Sequence, residues 1–370
     1  MKRILTLSLV VALLLLVVPG IDSIGTAVAA SEMKEFTYVV PAGVESLEHS
    51  PFRIAIKILE DEGYTMNFQE AYGTTDMKLV ATNQAQFAGP GPLLILSAIQ
   101  EGLPIKVIFS YDAINIWGMG VLSDSPVQTF EDMVNAEEKY GRKLTVALGD
   151  ASWEALVTPT LTAAGVDVEN DLEFVVAGEN RYVQVAEGNI DMLFTWPGEL
   201  WQLQGQNYDF VYIDGNEVLK TNSNPLITSD HMIENEPEAV QAFVTAMQKS
   251  VYFVHYNSEA AAAFMAEALP HIEVTWKAAK FIQEGRKYQM FGEPGSETEE
   301  QALETIGFIH DEGWLLNVEA ALDSGMIDEE IPLEDIFTNE FIRDDLDYSA
   351  IEEMADAIDI EAISSRYPAE

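Results

Sequence analysis

The chain predicts an α/β fold in two lobes, with a ligand cleft between them and a helical C-terminal extension. Three observations carry that expectation. Short strands rich in β-branched and aromatic residues alternate with capped helices, which favours layered α/β architecture over a sandwich. One phrase of helix end, polar turn, short strand and proline turn occurs twice, as LVATNQAQFAGP (Leu79 to Pro90) and QVAEGNIDMLFTWP (Gln184 to Pro197). Aromatic residues recur just after predicted strands, on the edge where open α/β sheets bind ligands.

Residues 1–30 read as a secretory signal, with Lys2 and Arg3, an apolar run from Ile4 to Val18, Pro19-Gly20, and small residues at Ala27-Val28-Ala29. The apolar run is short for a membrane span and no second candidate follows it. The mature chain is therefore expected outside the cytoplasm, starting near Ala30 or Ser31. Phe36 to Val40 is a first strand and Ala42 to Ser46 a turn. Ser50-Pro51 has the form of an N-cap and first-turn proline, with Phe52, Ala55, Ile56 and Leu59 on one helical face and Gly63 as the stop. Met66 to Ala71 is a second strand, and Thr74-Thr75-Asp76 caps a helix carrying Met77, Val80 and Ala81.

Lys106 to Ser110 is a further strand, after which Trp117 to Val121 is expected to cross to the second lobe, with Gly118 and Gly120 permitting a bend. Leu144 to Leu148 is a strand followed by a Gly-Asp loop and a helix ended by Gly165. Ile190 to Thr195 is another strand, and Thr221 to Pro225 leads back. Helices are predicted over Pro237 to Tyr256, Glu259 to Leu269, Thr275 to Gln289 and Glu299 to Gly313. The acidic tail from Asp323 is expected to be mobile in part. The boundaries are a signal at 1–30, lobe one at 31–117, lobe two at 118–223, a helical return to lobe one at 224–292, and the acidic helical extension at 293–370.

Composition excludes whole classes of function. Against 62 acidic side chains stand 19 Lys and Arg, a net charge of −43, so no basic stripe exists to neutralise phosphates and nucleic acid is excluded as a partner. Hydrophobic residues make up 48% and are regularly spaced, which argues against disorder. Cysteine is absent, which removes disulfides, thiolate zinc sites, cysteine nucleophiles and a lipid-bearing cysteine. The acidic surface suits high salt, where a Debye length of roughly 3 Å screens self-repulsion, and points to a salt-loving host.

Chemistry-bearing motifs are sparse. The five histidines, at 49, 231, 255, 271 and 310, fall in no GxSxG or HExxH pattern. No loop has the calcium spacing DxDxDG, and Gly89 and Gly91 lack the third glycine of a dinucleotide fingerprint. No catalytic residue, metal or cofactor is therefore expected. The aromatic positions are more informative. Tyr111 and Trp117 follow the strand ending at Ser110, Trp153 follows Gly149-Asp150-Ala151-Ser152, Tyr182 follows Arg181, and Trp196 precedes Pro197. Such rings clamp a flat or apolar ligand while cap amides hold its polar end. Arg181 either clamps an acidic group of the ligand or neutralises Glu179. Gly89-Pro90-Gly91-Pro92 is either a plain turn or one wall of the cleft, with Thr195-Trp196-Pro197-Gly198 as its counterpart in lobe two.

These residues carry a resemblance. LVATNQAQFAGPGPLLILSAIQEGLPIKVI (79–108), SDSPVQTFEDMVNAEEKYGRKLTVALGDASWEALVTPTLTAAGVD (123–167), ENEPEAVQAFVTAMQKSVYFVHYNSEAAAAFMAEAL (234–269) and LEDIFTNEFI (333–342) resemble the nitrate/sulfonate/taurine-type periplasmic binding proteins of ABC importers. That group includes binders of the thiamine pyrimidine precursor. The resemblance implies a type II periplasmic binding protein, monomeric and without a cofactor, that closes around hinges near 118–120 and 222–225 and delivers a small molecule to a membrane permease. By position it implies ligand loops at His49, at Gly73 to Asp76 with Thr74 and Thr75, at Gly89, Pro90 and Gly91, at Tyr111, at Asp150 to Trp153 with Ser152, at Arg181 and Tyr182, and at Trp196. The aromatic lining shifts the expected ligand from a free inorganic anion toward a planar organic molecule. Two other readings stand beside it. Receptors of tripartite transporters share a GTTD loop opening, here Gly73 to Asp76. Pyrimidine-precursor synthases of yeast are enzymes on the same fold, but they depend on a cysteine-rich stretch that this chain lacks.

Overall fold

A computed structural model describes residues 33–40, 45–71 and 74–367. The expected signal, the first residues of the Ala42 turn, and Gly73 lie outside the described residues. The chain runs β1 (Glu35–Val40), α1 (Ser50–Asp61), β2 (Thr65–Glu70), α2 (Thr75–Ala81), β3 (Phe87–Ala88), α3 (Pro92–Gln100) and β4 (Ile105–Ser110). It then enters a second sheet through β5 (Gly118–Leu122), followed by β6 (Leu144–Leu148), α4 (Glu154–Ala163), β7 (Leu172–Val176), α5 (Arg181–Ala186), β8 (Met192–Thr195), α6 (Pro197–Gly205) and β9 (Phe210–Ile213). Strand β10 (Pro225–Ser229) returns to the first sheet. After it come α7 (Pro237–Tyr256), α8 (Ser258–Ala268), α9 (Trp276–Phe291), α10 (Glu297–Glu304), α11 (Asp311–Asp323) and α12 (Ser349–Asp356).

The two sheets have equivalent orders, β2-β1-β3-β10-β4 and β7-β6-β8-β5-β9. In each, the strand arriving from the other lobe lies antiparallel between the third and fourth strands of its host. The twice-used phrase thus marks equivalent places, α2–β3 in one lobe and α5–β8 in the other. Side-chain alternation explains the layers. Phe36, Tyr38 and Val40 of β1 pack with α1 and α7, whereas Val39 packs with α2, α3 and α11. In β6, Val146 and Leu148 face one layer and Ala147 the other. Both sheets are therefore covered on both faces, as parallel-rich sheets require. The apolar stripe of α7 is buried as its spacing predicts, and Phe243 stacks on Phe87 at 3.8 Å.

Several local expectations are corrected. Ser50 is not the cap of α1. His49 takes that place, Ser46 caps the preceding turn by accepting from Glu48 N (3.2 Å), and the Ser50 hydroxyl donates to Gln283. Gly118 and Gly120 make no bend. Both lie in β5, where a Cβ on Gly118 would collide with the Ile213 carbonyl and one on Gly120 would sit 2.7 Å from Leu200 Cδ1. The helix predicted over 299–313 is two helices, interrupted where Gly307, at φ +86°, lies against the Phe109 ring and accepts from Ser110 N (2.8 Å). The tail from Asp323 is packed, not loose. Ile336, Phe341, Ile351 and Ile363 are buried, and Thr338 N bonds to Val107 O of β4 (2.9 Å). Its acidic residues face outward while its apolar ones complete the core of the first lobe, which composition alone conceals.

One seam positions the site. Helices α6 and α9 run against each other with small residues at the contact: a Cβ on Gly205 would be 2.5 Å from Ala278 Cα, and one on Gly285 would be 2.8 Å from Pro197 O. Tyr288 of α9 adds a tilted ring contact with Trp201 (5.6 Å) and donates to Asp214.

Candidate ligand cleft

The second-lobe wall is built from three loops that follow strands. β8 ends at Thr195, and the extended backbone of Trp196 (φ −135°, ψ 163°) turns the chain into α6, whose first position is Pro197. Trp153 closes a short 3-10 turn held by Asp150, whose carboxylate accepts from Ser152 N (2.9 Å) and Ser152 Oγ (2.6 Å). Trp117 immediately precedes β5. Trp196 meets Trp117 edge-to-face at 6.4 Å and Trp153 at 5.7 Å, and all three indoles are only partly buried. The Arg181 guanidinium lies over the rings of Trp153 (4.9 Å) and Trp196 (5.8 Å). Its ion-pair partner is Glu199, which also accepts from Thr195 Oγ1 (2.8 Å).

The facing wall comes from the short turn before α1 that carries Glu48, β1, α2, the loop after β4, and α9. Glu48 Oε2 accepts a 2.8 Å hydrogen bond from Trp196 Nε1, joining the two walls. Burial pushes the Glu48 carboxyl up to about 7, against the opposing pull of Arg286 and the indole hydrogen bond. Arg286, buried in α9, pairs with Asp112 (3.3 Å), donates to Gln289 Oε1 (2.6 Å), and holds its guanidinium 4.6 Å from the Tyr111 ring centre. Asp112 is itself raised by burial, which Arg286 and Asn224 oppose. Asp76, 2% exposed, is pushed up to about 6 by burial, opposed by its hydrogen bond from Met77 N (2.6 Å). Gln289 Nε2 and Arg286 Nε are buried without a partner.

The Gly89 to Pro92 loop is buried between these walls. Neither glycine has positive φ, so their use is spatial. A Cβ on Gly89 would come 2.7 Å from Tyr38 Oη, and one on Gly91 would come 2.7 Å from Leu156 Cδ2 of the opposite lobe. A tyrosine hydroxyl and a leucine methyl approach this bare backbone.

The sequence candidates thus divide. Trp117, Trp153, Trp196 and Arg181 converge, and Tyr111 lies on the facing wall under Arg286. His49 sits at the start of α1 with its ring against Phe52 (6.2 Å) and Phe68 (6.3 Å). Thr74 and Thr75 are exposed at the start of α2. Asp150 and Ser152 are exposed and bonded to each other, and Tyr182 packs edge-on to Tyr208 (5.4 Å) in a separate cluster with Val185 and Leu203. Sequence reasoning missed Glu48, Tyr38, Arg286 and Gln289. A signal for α9 was present: Gln283, Arg286 and Gln289 recur every three residues along one face of a helix, and all three are buried.

The family model described as NMT1/THI5 like matches residues 59–261. Among solved structures, the periplasmic aliphatic sulphonate binding protein SsuA of Escherichia coli is 12% identical, with 82% of this chain and 91% of that one covered and a TM-score of 0.59. A ligand-binding component of an ABC-type import system from Staphylococcus aureus, with zinc bound, is 10% identical, with 86% and 100% covered and a TM-score of 0.62. The desulfurization enzyme DSZB is 13% identical, with 83% and 97% covered and a TM-score of 0.52. Among curated proteins none matches the sequence. The fold is the two-lobed type II fold of periplasmic binding proteins. With more than half of its length matched, the chain belongs to the NMT1/THI5-like family.

Proposed function

We propose that the protein is an extracytoplasmic solute receptor that closes its lobes on a small planar organic ligand and hands it to the permease of an ABC importer. The observation that carries this reading is the convergence of Trp117, Trp153 and Trp196, from three separate loops, opposite a polar wall. Indole faces supply flat apolar area at little conformational cost, and a few fixed polar groups then orient what they hold. Family membership and the signal-like first thirty residues support export and receptor function.

Lobe one comprises the first sheet with the C-terminal helices, and lobe two the second sheet. The hinge belongs to the paired connections around 112–117 and 214–224, where Ile116 N bonds to Ser223 Oγ (2.9 Å), because 118–120 is sheet-bonded. Ligand entry then requires the Trp196–Glu48 contact to part, and closure follows from tighter binding to the closed state.

A thermal-shift panel of planar carboxylates, sulfonates, pyrimidines and purines tests the reading, with mass spectrometry of the recovered compound. One class should raise Tm and be recovered unchanged. A hit that is turned over would make the protein an enzyme, which the fold shared with DSZB allows, and a panel without hits would remove the planar ligand. An ATPase gene beside this one is expected; tripartite permease genes in its place would redirect the partner.

A further inference from the structure

We infer that Glu48 sets the charge class of the ligand, so that the cleft accepts uncharged or cationic planar molecules and rejects carboxylates, sulfonates and inorganic anions. The inference rests on the planar-ligand reading above and narrows it.

Each cation at the cleft already has a carboxylate partner, although the Nε of each is buried without a hydrogen bond. Arg181 is paired with Glu199, and Arg286 with Asp112. Among the described residues neither Glu48 nor Asp76 forms an ion pair, so the balance of the two walls is acidic. Glu48 also holds the place an anion would seek. Its carboxyl carbon lies 3.1 Å from where a Cβ on Gly198 would stand, in the first turn of the nine-residue helix α6, and it takes the Trp196 indole hydrogen bond. The positive end of a helix and an N–H donor are what anion sites are made of, and here the protein's own carboxylate occupies both.

A second observation points to a ligand there. Gln289 is wholly buried, its Oε1 accepts from Arg286, and its Nε2 donates to nothing, while Gly198 brings Gln289 and Glu48 into one small region. A donor without a partner near a carboxylate that already holds the Trp196 indole suits a flat molecule whose edge offers both an acceptor and a donor. An added anionic group would face Glu48 at short range, where Arg181 and Arg286 are each already paired with a carboxylate.

Benzamidine, benzamide and benzoate share one shape and differ in charge, so titrating each into the mature chain at pH 8, read by calorimetry and tryptophan fluorescence, isolates the effect. Benzamidine and benzamide should bind at least tenfold tighter than benzoate. Glu48→Gln should bring benzoate to within a few-fold of benzamidine, while Glu48→Asp, which keeps the charge, should preserve the preference. Equal binding of benzoate and benzamidine to the parent would overturn the inference while leaving the planar-ligand reading intact. A preference undiminished in a folded Glu48→Gln variant would overturn the role of Glu48. If none of the three binds, the planar-ligand reading falls and takes the inference with it.

Discussion

Trp196 Nε1 and Glu48 Oε2 are 2.8 Å apart, and the hydrogen bond between them runs from one lobe to the other. It is charge-assisted when Glu48 is ionised, and it couples lobe closure to the aromatic wall. Trp196→Phe keeps an aromatic ring but deletes the donor. The variant should stay folded and populate a more open arrangement without ligand, visible as a larger radius of gyration in solution scattering. An unchanged scattering profile would show that the seam between α6 and α9 alone holds the lobes.

The same pair makes stability depend on pH. Because the Glu48 carboxyl is raised to about 7 in the folded chain, the native state binds a proton there that the unfolded chain releases near its ordinary value. The group costs nothing at pH 4, and its burial penalty grows as pH rises and is complete above pH 7. Glu48→Gln should therefore stabilise the protein at pH 8, by at most about 3 kcal/mol, with the gain fading toward pH 4. Melting curves of both forms across that range check the sign; a larger gain at low pH would contradict the burial account.

Trp117→Ala and Trp153→Ala should each weaken binding of whichever planar compound raises Tm, by about tenfold or somewhat more. A stacked ring contributes about 0.5–1.5 kcal/mol beyond the area it buries. Circular dichroism should show both variants folded, since these rings are only partly buried. Parent-like affinity in both would remove the aromatic wall from the site.

The α6–α9 seam inverts an ordinary rule. Glycine to alanine inside a helix usually stabilises by about 0.5–1 kcal/mol. At Gly205 the new methyl would stand 2.5 Å from the Ala278 backbone, and overpacking of that kind costs about 1–3 kcal/mol. Gly205→Ala should therefore lower Tm, while Gly102→Ala serves as a control for backbone strain alone, since Gly102 has φ +86° and open space around its Cα.

With 62 acidic against 19 basic side chains, stability should rise with salt. Unfolding in low and in molar potassium chloride measures it, and an unshifted transition would sink the idea of a surface adapted to salt.

The local signals that the chain carries were legible because they are periodic or steric. Alternating strands, the α7 stripe and the repeated phrase all act within a few residues. The tryptophans were legible for the same reason, since each stands just after a strand. Long-range encounters were not. Glu48 lies 148 residues before Trp196, and Arg286 reaches Asp112 across 174 residues, so nothing near either position announces its partner. The acidic tail misleads because its outward charges outnumber the few isoleucines and the phenylalanine that anchor it. By itself the sequence determined the fold class, the doubled topology and the aromatic wall, since those depend on side-chain period and turn chemistry. Only the tertiary structure decided which charges cancel, why Gly118 must lack a Cβ, and that a carboxylate faces the indoles, because burial and charge pairing arise only once distant segments meet.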